Sequence, residues 1–123
     1  MNVLIVEDDA AAREASSRYL DDLGFETRTA SNASEAEYQA SNERPDVVIC
    51  DWRLADAADG ADVARSLQKK YDSLIIFITA QPLQKLRNAT RDIKVVRYLR
   101  KPISLHVLAG VLRDVRRGHK KSQ

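Results

Sequence analysis

The chain has 123 residues, 44% of them hydrophobic, and its 20 Lys and Arg against 18 Asp and Glu leave a net charge of +2. That apolar fraction excludes wholesale disorder, the one cysteine excludes an internal disulfide, and apolar runs of only a few residues exclude a membrane-spanning helix. The expectation is one packed domain in the cytoplasm, because Met1 opens directly into a strand and leaves no room for a signal peptide.

Val3–Val6 is a short, near-continuous apolar run, the pattern of a strand covered on both faces. It ends in three carboxylates, Glu7, Asp8 and Asp9. Asp9 suits the cap of the next helix, where Tyr19, Leu20 and Leu23 recur at helical spacing before the stop at Gly24. Phe25–Ala30 alternates apolar and polar residues, as an edge or half-exposed strand does. Asn32 and Glu35 form a capping pair at the start of a helix over Ala33–Ala40.

Val47–Cys50 is a second covered run and delivers Asp51. After Gly60, the positions Val63, Ala64, Leu67 and Tyr71 mark a helix. Leu74–Ile78 is a third covered run and delivers Thr79. Leu83–Thr90 is the poorest helix, polar and opened by Pro82. Val95–Leu99 reads as a fourth covered strand, followed by Lys101 and Pro102. Leu105, Leu108, Leu112 and Val115 give the last helix its apolar stripe. Its end is basic through Arg113, Arg116, Arg117, Lys120 and Lys121, read as cations complementing the helix dipole, since no aromatic interleaves them for nucleic-acid stacking. Cys50 and Trp52 read as packing residues.

Five strands alternating with five helices predict an open, doubly wound α/β sheet, mostly or wholly parallel. Right-handed crossovers then place every strand's C-terminal end on one edge, where such sheets bind ligands. Four strands deliver polar groups there: Glu7 and Asp8, Asp51, Thr79, and Lys101. Carboxylates held together repel unless a cation intervenes, and magnesium takes such oxygens while keeping waters and a phosphate. A metal, a carboxylate nucleophile, a hydroxyl and an ammonium make a phosphoryl-transfer site with Asp51 as nucleophile.

The segments "LIVEDD", "VVICDWRL", "FITA" and "YLRKP" resemble the receiver domain of bacterial two-component response regulators, over essentially the whole chain. Asp51 and Thr79 are 28 residues apart and Thr79 and Lys101 22 apart, and in this order the set is specific. The resemblance implies a flavodoxin-like (βα)5 fold with strand order 2-1-3-4-5, similar to chemotaxis regulators. It implies a receiver over 1–118 with a basic tail over 119–123. Glu7 and Asp8 match the metal-binding acids, with Asp51 and the main-chain carbonyl of Arg53 as further ligands of Mg2+, or Mn2+ in its place. Asp51 matches the phosphoacceptor, Thr79 the switch hydroxyl, Tyr98 the aromatic that moves with it, and Lys101 the phosphate-binding lysine. Pro102 resembles the residue after the family's cis bond.

The pattern departs from the family at "DWRLADAADG", which lacks the usual proline, holds Ala55 near its place, and is one residue longer up to Gly60. Arg53 stands beside the acceptor, to pair with the phosphoryl group or to block an attacking water. "IKVVRYLRKP" lacks the Gly-Ala and acidic pair of regulators that dimerise through this face to bind DNA.

Aspartyl phosphatases and toprim-type nucleases both want a second acid two residues after the first, and Arg53 occupies that place, so no enzyme beyond self-directed phosphoryl transfer is expected. The implied partners are a histidine kinase or phosphotransfer protein and a downstream protein, with no direct nucleic acid and no membrane, as a monomer or a phosphorylation-dependent dimer. The output face would comprise Leu83–Thr90, Lys94–Leu99 and one side of the last helix, with Leu83, Leu86, Arg97, Leu99 and Arg100 as contacts. A stand-alone receiver acting by contact or as a phosphate relay is expected; a receiver from a hybrid kinase or larger regulator, or an interaction module that takes no phosphate, are the alternatives.

Overall fold

The computed structural model describes residues 1–54 and 59–121, with side-chain surroundings through residue 118. Ten elements alternate: β1 Asn2–Val6, α1 Ala10–Asp22, β2 Glu26–Ala30, α2 Ala33–Asn42, β3 Val47–Asp51, α3 Gly60–Tyr71, β4 Leu74–Thr79, α4 Leu83–Ala89, β5 Val95–Arg100 and α5 Leu105–Lys121. The five strands form one parallel sheet in the order β2-β1-β3-β4-β5. This is the flavodoxin-like (βα)5 arrangement expected. Residues 55–58 of the altered loop, Ala55 among them, lie outside the described residues, as does part of the expected 119–123 tail; α5 itself continues past residue 118.

Successive strand residues point to opposite faces, and the sheet sorts its side chains accordingly. Leu4, Val6, Val48, Cys50, Ile75 and Phe77 pack with α2, α3 and α4 on one side. Val3, Ile5, Val47, Ile49, Ile76 and Ile78 pack with α1 and α5 on the other. β1, β3 and β4 are therefore buried on both faces, which is why their sequences are apolar without alternation. β2 alternates because it is an edge strand.

β5 departs from expectation. Its burial is intermediate or exposed throughout, because the strand order leaves it at the second edge, and its ladder with β4 shifts register between Ile75 and Ile76.

The caps follow local chemistry. Asp9 accepts from the Ala11 amide at 3.1 Å, and Asn32 accepts from the Glu35 amide at 2.8 Å. The Glu35 carboxylate in turn accepts from the Ser31 amide at 2.7 Å. Gly24, at φ 93°, takes the left-handed conformation that ends α1. α4 is seven residues long, has no side-chain cap, and buries only Leu86. A single buried leucine is worth about 2 kcal/mol, so α4 is held far less firmly than α5, which buries Leu108, Ala109, Val111 and Leu112.

Candidate phosphoacceptor site

The strand register places the site. β3 ends in Asp51, whose neighbour on β4 is Ile78, and Thr79 follows one step further along the same edge. β1 lies on the other side of β3, pairing Val6 with Cys50, so Glu7 and Asp8 emerge beside Asp51. β5 brings Lys101 to the Thr79 carbonyl, to which its amide donates at 2.9 Å. All four strand tips thus meet at one place.

Glu7, Asp8 and Asp51 each offer a carboxylate oxygen, and the three atoms lie within 4.8 Å of one another. The Lys101 ammonium donates to Asp51 Oδ2 at 2.6 Å and lies 3.3 Å from Glu7 Oε1. Glu7 is buried, and its pKa is pushed up to about 7: burial contributes most, then hydrogen bonds shared with Asp51 and Asp8 and the charge of Asp51, with Lys101 opposing. Burial acts to lower the pKa of Lys101, but its bond to Asp51 and the charges of Asp51 and Glu7 outweigh that and hold it above the ordinary value. One ammonium therefore serves a cluster of three acids, and an oxygen-seeking divalent cation fits the remaining negative charge.

Thr79 is buried, with Oγ1 accepting from the Gln81 amide at 2.9 Å. Tyr98 is half-buried on the other side of β4, stacked on Phe77 with ring centroids 6.0 Å apart. The Lys101–Pro102 bond is cis, as the resemblance implies. The Arg53 amide donates to Asp51 Oδ1 at 3.3 Å, while its guanidinium lies over the Trp52 ring, 4.5 Å from the centroid. Of the expected output contacts, Arg97 and Arg100 are exposed, and Leu83 and Leu99 half-buried. Leu86 corrects the expectation: it is fully buried against the core, because its phase on α4 points it at the sheet.

Two residues escaped the sequence reading. Arg13, the fourth residue of α1, donates to the Glu7 carbonyl at 2.9 Å and to that of Asp8 at 3.4 Å, fixing the acidic loop. Gly60 opens α3 against the end of β3: its amide donates to the Trp52 carbonyl at 2.7 Å, and a Cβ there would overlap the Asp51 carbonyl oxygen. A glycine that follows an acid-rich loop was a signal for close backbone approach.

A cleft of about 570 Å3 opens beside Glu7, Asp51 and Lys101, floored by Ile5, Ile49 and Ile78 and walled by Ala12, Ala15 and Leu105. It lies between α1 and the start of α5, with the Asp51 carboxylate in its lining.

A family model described as the response regulator receiver domain matches residues 3–113. Response regulator MprA of Mycobacterium sp. (strain KMS) is 34% identical over 118 residues, covering 95% of this chain and 51% of the relative. The chain thus spans about half the length of such relatives. The CheY-like receiver domain protein of Methanospirillum hungatei JF-1 superposes with a TM-score of 0.91 at 21% identity, covering 99% of this chain and 98% of that one, a likeness of fold. The signal receiver domain of a modulated diguanylate cyclase from Desulfovibrio desulfuricans G20 does so with 0.85 at 28% identity, covering 99% and 98%. Chemotaxis protein CheY4 of Vibrio cholerae gives 0.85 at 26%, covering 93% and 97%.

Proposed function

Because this chain belongs to the response regulator receiver domain family of two-component systems, we propose that it is a phosphorylation-activated switch whose acceptor is Asp51. The donor is the phosphohistidine of a histidine kinase or phosphotransfer protein. Asp51 Oδ attacks phosphorus, the P–N bond breaks, and the imidazole leaves with the electron pair. Lys101, already 2.6 Å from Oδ2, neutralises charge on the transferred group, and the Thr79 hydroxyl becomes a donor to one of its oxygens. Glu7, Asp8, Asp51 and the main-chain carbonyl of Arg53 would hold Mg2+, with Mn2+ as a substitute. The ion supplies charge neutralisation to the phosphoryl oxygens. The cleft beside the site admits the donor's imidazole.

The reading rests on one observation above others: three carboxylates from two strands converge within 4.8 Å, with a lysine from another element bonded to one of them. The transferred group carries a charge of about −1.5 to −2 near neutral pH and biases two pre-existing arrangements of the α4–β5 face. Output is by protein contact, or the chain serves as a phosphate relay or sink; in a larger regulator the same face would address the attached domain. Turnover is confined to the chain's own phosphorylation and dephosphorylation, and the cytoplasm is the compartment the family suggests. Among the described residues no helix is long and apolar enough to cross a membrane.

The test is labelling with acetyl phosphate and with a panel of histidine kinases. Wild type should label with Mg2+ and not with chelator, and Asp51→Asn should not label. Labelling of Asp51→Asn at the wild-type rate would remove Asp51 from the role. A wild type inert to every donor would leave the domain an interaction module.

A further inference from the structure

Charge is segregated along this chain. Residues 1–80 hold 8 Lys and Arg against 16 Asp and Glu, whereas residues 81–123 hold 12 against 2. The fold preserves the segregation, because α4, the loop after it and β5 form one edge of the molecule. Lys85, Arg87, Arg91, Lys94, Arg97 and Arg100 are all exposed there. None of the six has a carboxylate within salt-bridge distance among the described residues. The one acid of this stretch, Asp92, is already engaged by Arg65 of α3 through two hydrogen bonds. An ordinary solvated surface mixes both signs; this one does not.

Apolar side chains interleave the cations. Val96 is 36% exposed, and Leu83 and Leu99 are half-buried. The aromatic of the strand, Tyr98, is turned inward onto Phe77 and offers no stacking face. Nucleic-acid phosphates would satisfy the cations but leave those apolar groups without a partner. A two-fold copy would set like charges face to face.

We propose that the α4–β5 face docks a protein segment in which carboxylates alternate with apolar side chains, and that it does not pair with its own copy. This rests on the receiver reading for its place in the switch, since it names the chemistry of the output partner. The surface itself is independent of phosphorylation chemistry.

The test titrates the full chain, at near-physiological salt, with a fluorescein-labelled peptide alternating Glu and Leu. Parallel titrations use a Glu/Ser peptide and a short DNA duplex. The Glu/Leu peptide should bind saturably and more tightly than the other two. Binding should weaken roughly tenfold or more in Arg97→Glu/Arg100→Glu and, independently, in Lys85→Glu/Arg91→Glu. It should stay within about twofold in Lys69→Glu/Lys70→Glu at the end of α3. Equal loss in that control, a Glu/Ser peptide as tight as Glu/Leu, or tighter DNA binding lost in the same variants would overturn the proposal. So would a wild-type dimer in sedimentation that the α4–β5 substitutions dissolve. Acetyl phosphate labelling of wild type is scored separately: peptide binding without labelling removes the switch and keeps the surface, and labelling without peptide binding does the reverse.

Discussion

The Tyr98 hydroxyl lies 2.7 Å from Thr90 Oγ1, and Thr90 Oγ1 lies 2.8 Å from the Leu86 carbonyl. The threonine hydroxyl has one proton and spends it on Leu86, so Tyr98 donates to Thr90. The phenol of β5 is thereby fastened to the C-terminal end of α4, while Arg87 lies over its ring at 5.1 Å. The aromatic expected to move with Thr79 is held in place by the helix expected to move.

Removing that bond should bias the switch. Tyr98→Phe and Thr90→Val each delete it, at a net cost of about 1 kcal/mol, which limits the shift between the two arrangements to about fivefold. Affinity for beryllofluoride, a phosphoryl mimic, should rise by up to that factor in both variants with Mg2+ present. Unchanged affinity in both would mean that the bond only holds the fold.

Lys101→Met should separate metal binding from phosphoryl transfer. The ammonium shares Asp51 Oδ2 and Glu7 Oε1 with any bound cation, so its loss should enlarge the Mg2+-induced rise in Tm. Labelling by acetyl phosphate should fall on the order of 10²-fold, the usual cost of deleting one donor from a site of developing charge. A variant that labels like wild type would exclude the lysine from the transfer.

The metal-free protein should lose stability as pH rises through the range set by Glu7. Its folded pKa of about 7 lies above its ordinary 4.5. The folded state therefore binds the extra proton, and the stability this gives is complete below pH 4.5 and gone once pH has passed about 7. Chelated protein should melt at progressively lower temperature across that window, and Glu7→Gln should flatten the profile. Mg2+ should raise Tm more above pH 7 than below it, because proton and metal compete for the same carboxylate.

Gly60→Ala should damage the site more than any other glycine substitution here. The new Cβ would overlap the Asp51 carbonyl oxygen and sit 2.9 Å from both the Asp51 carbonyl carbon and Trp52 Cα, so backbone must yield. About 1–3 kcal/mol of stability should be lost in denaturant titration, together with labelling of the displaced Asp51. Gly110→Ala in α5 meets nothing within 4 Å and should stabilise by about 0.5–1 kcal/mol. Two equally stable variants would contradict the close approach.

The strands were legible because β1, β3 and β4 are buried on both faces, and only a continuous apolar run survives there. The convergence of Glu7, Asp8, Asp51, Thr79 and Lys101 was legible because each follows or ends an apolar run, and parallel topology forces the strand tips together. β5 was misjudged because its apolar run was read by itself, although the expected order 2-1-3-4-5 already puts it at an edge, where one face need not be covered. Leu83 and Leu86 sit three apart on one face of a seven-residue helix; Leu86, at its middle, is fully buried, whereas Leu83, at its first position, stays half-buried. Arg13 and Gly60 act through backbone atoms five to nine residues earlier in the chain, and no periodicity reports such contacts. Arg53 reads as a long cation beside Asp51, and the structure stacks its guanidinium on the Trp52 ring.

Cys50 is the chain's sole thiol, fully buried on β3 next to Asp51, with Sγ 3.4 Å from the Gly60 carbonyl and its pKa pushed far up by that burial. A thiol reagent can reach it only when α3 lifts away from β3. Its alkylation rate is consequently a clock, native to the molecule, for how often the wall beside Asp51 breathes open.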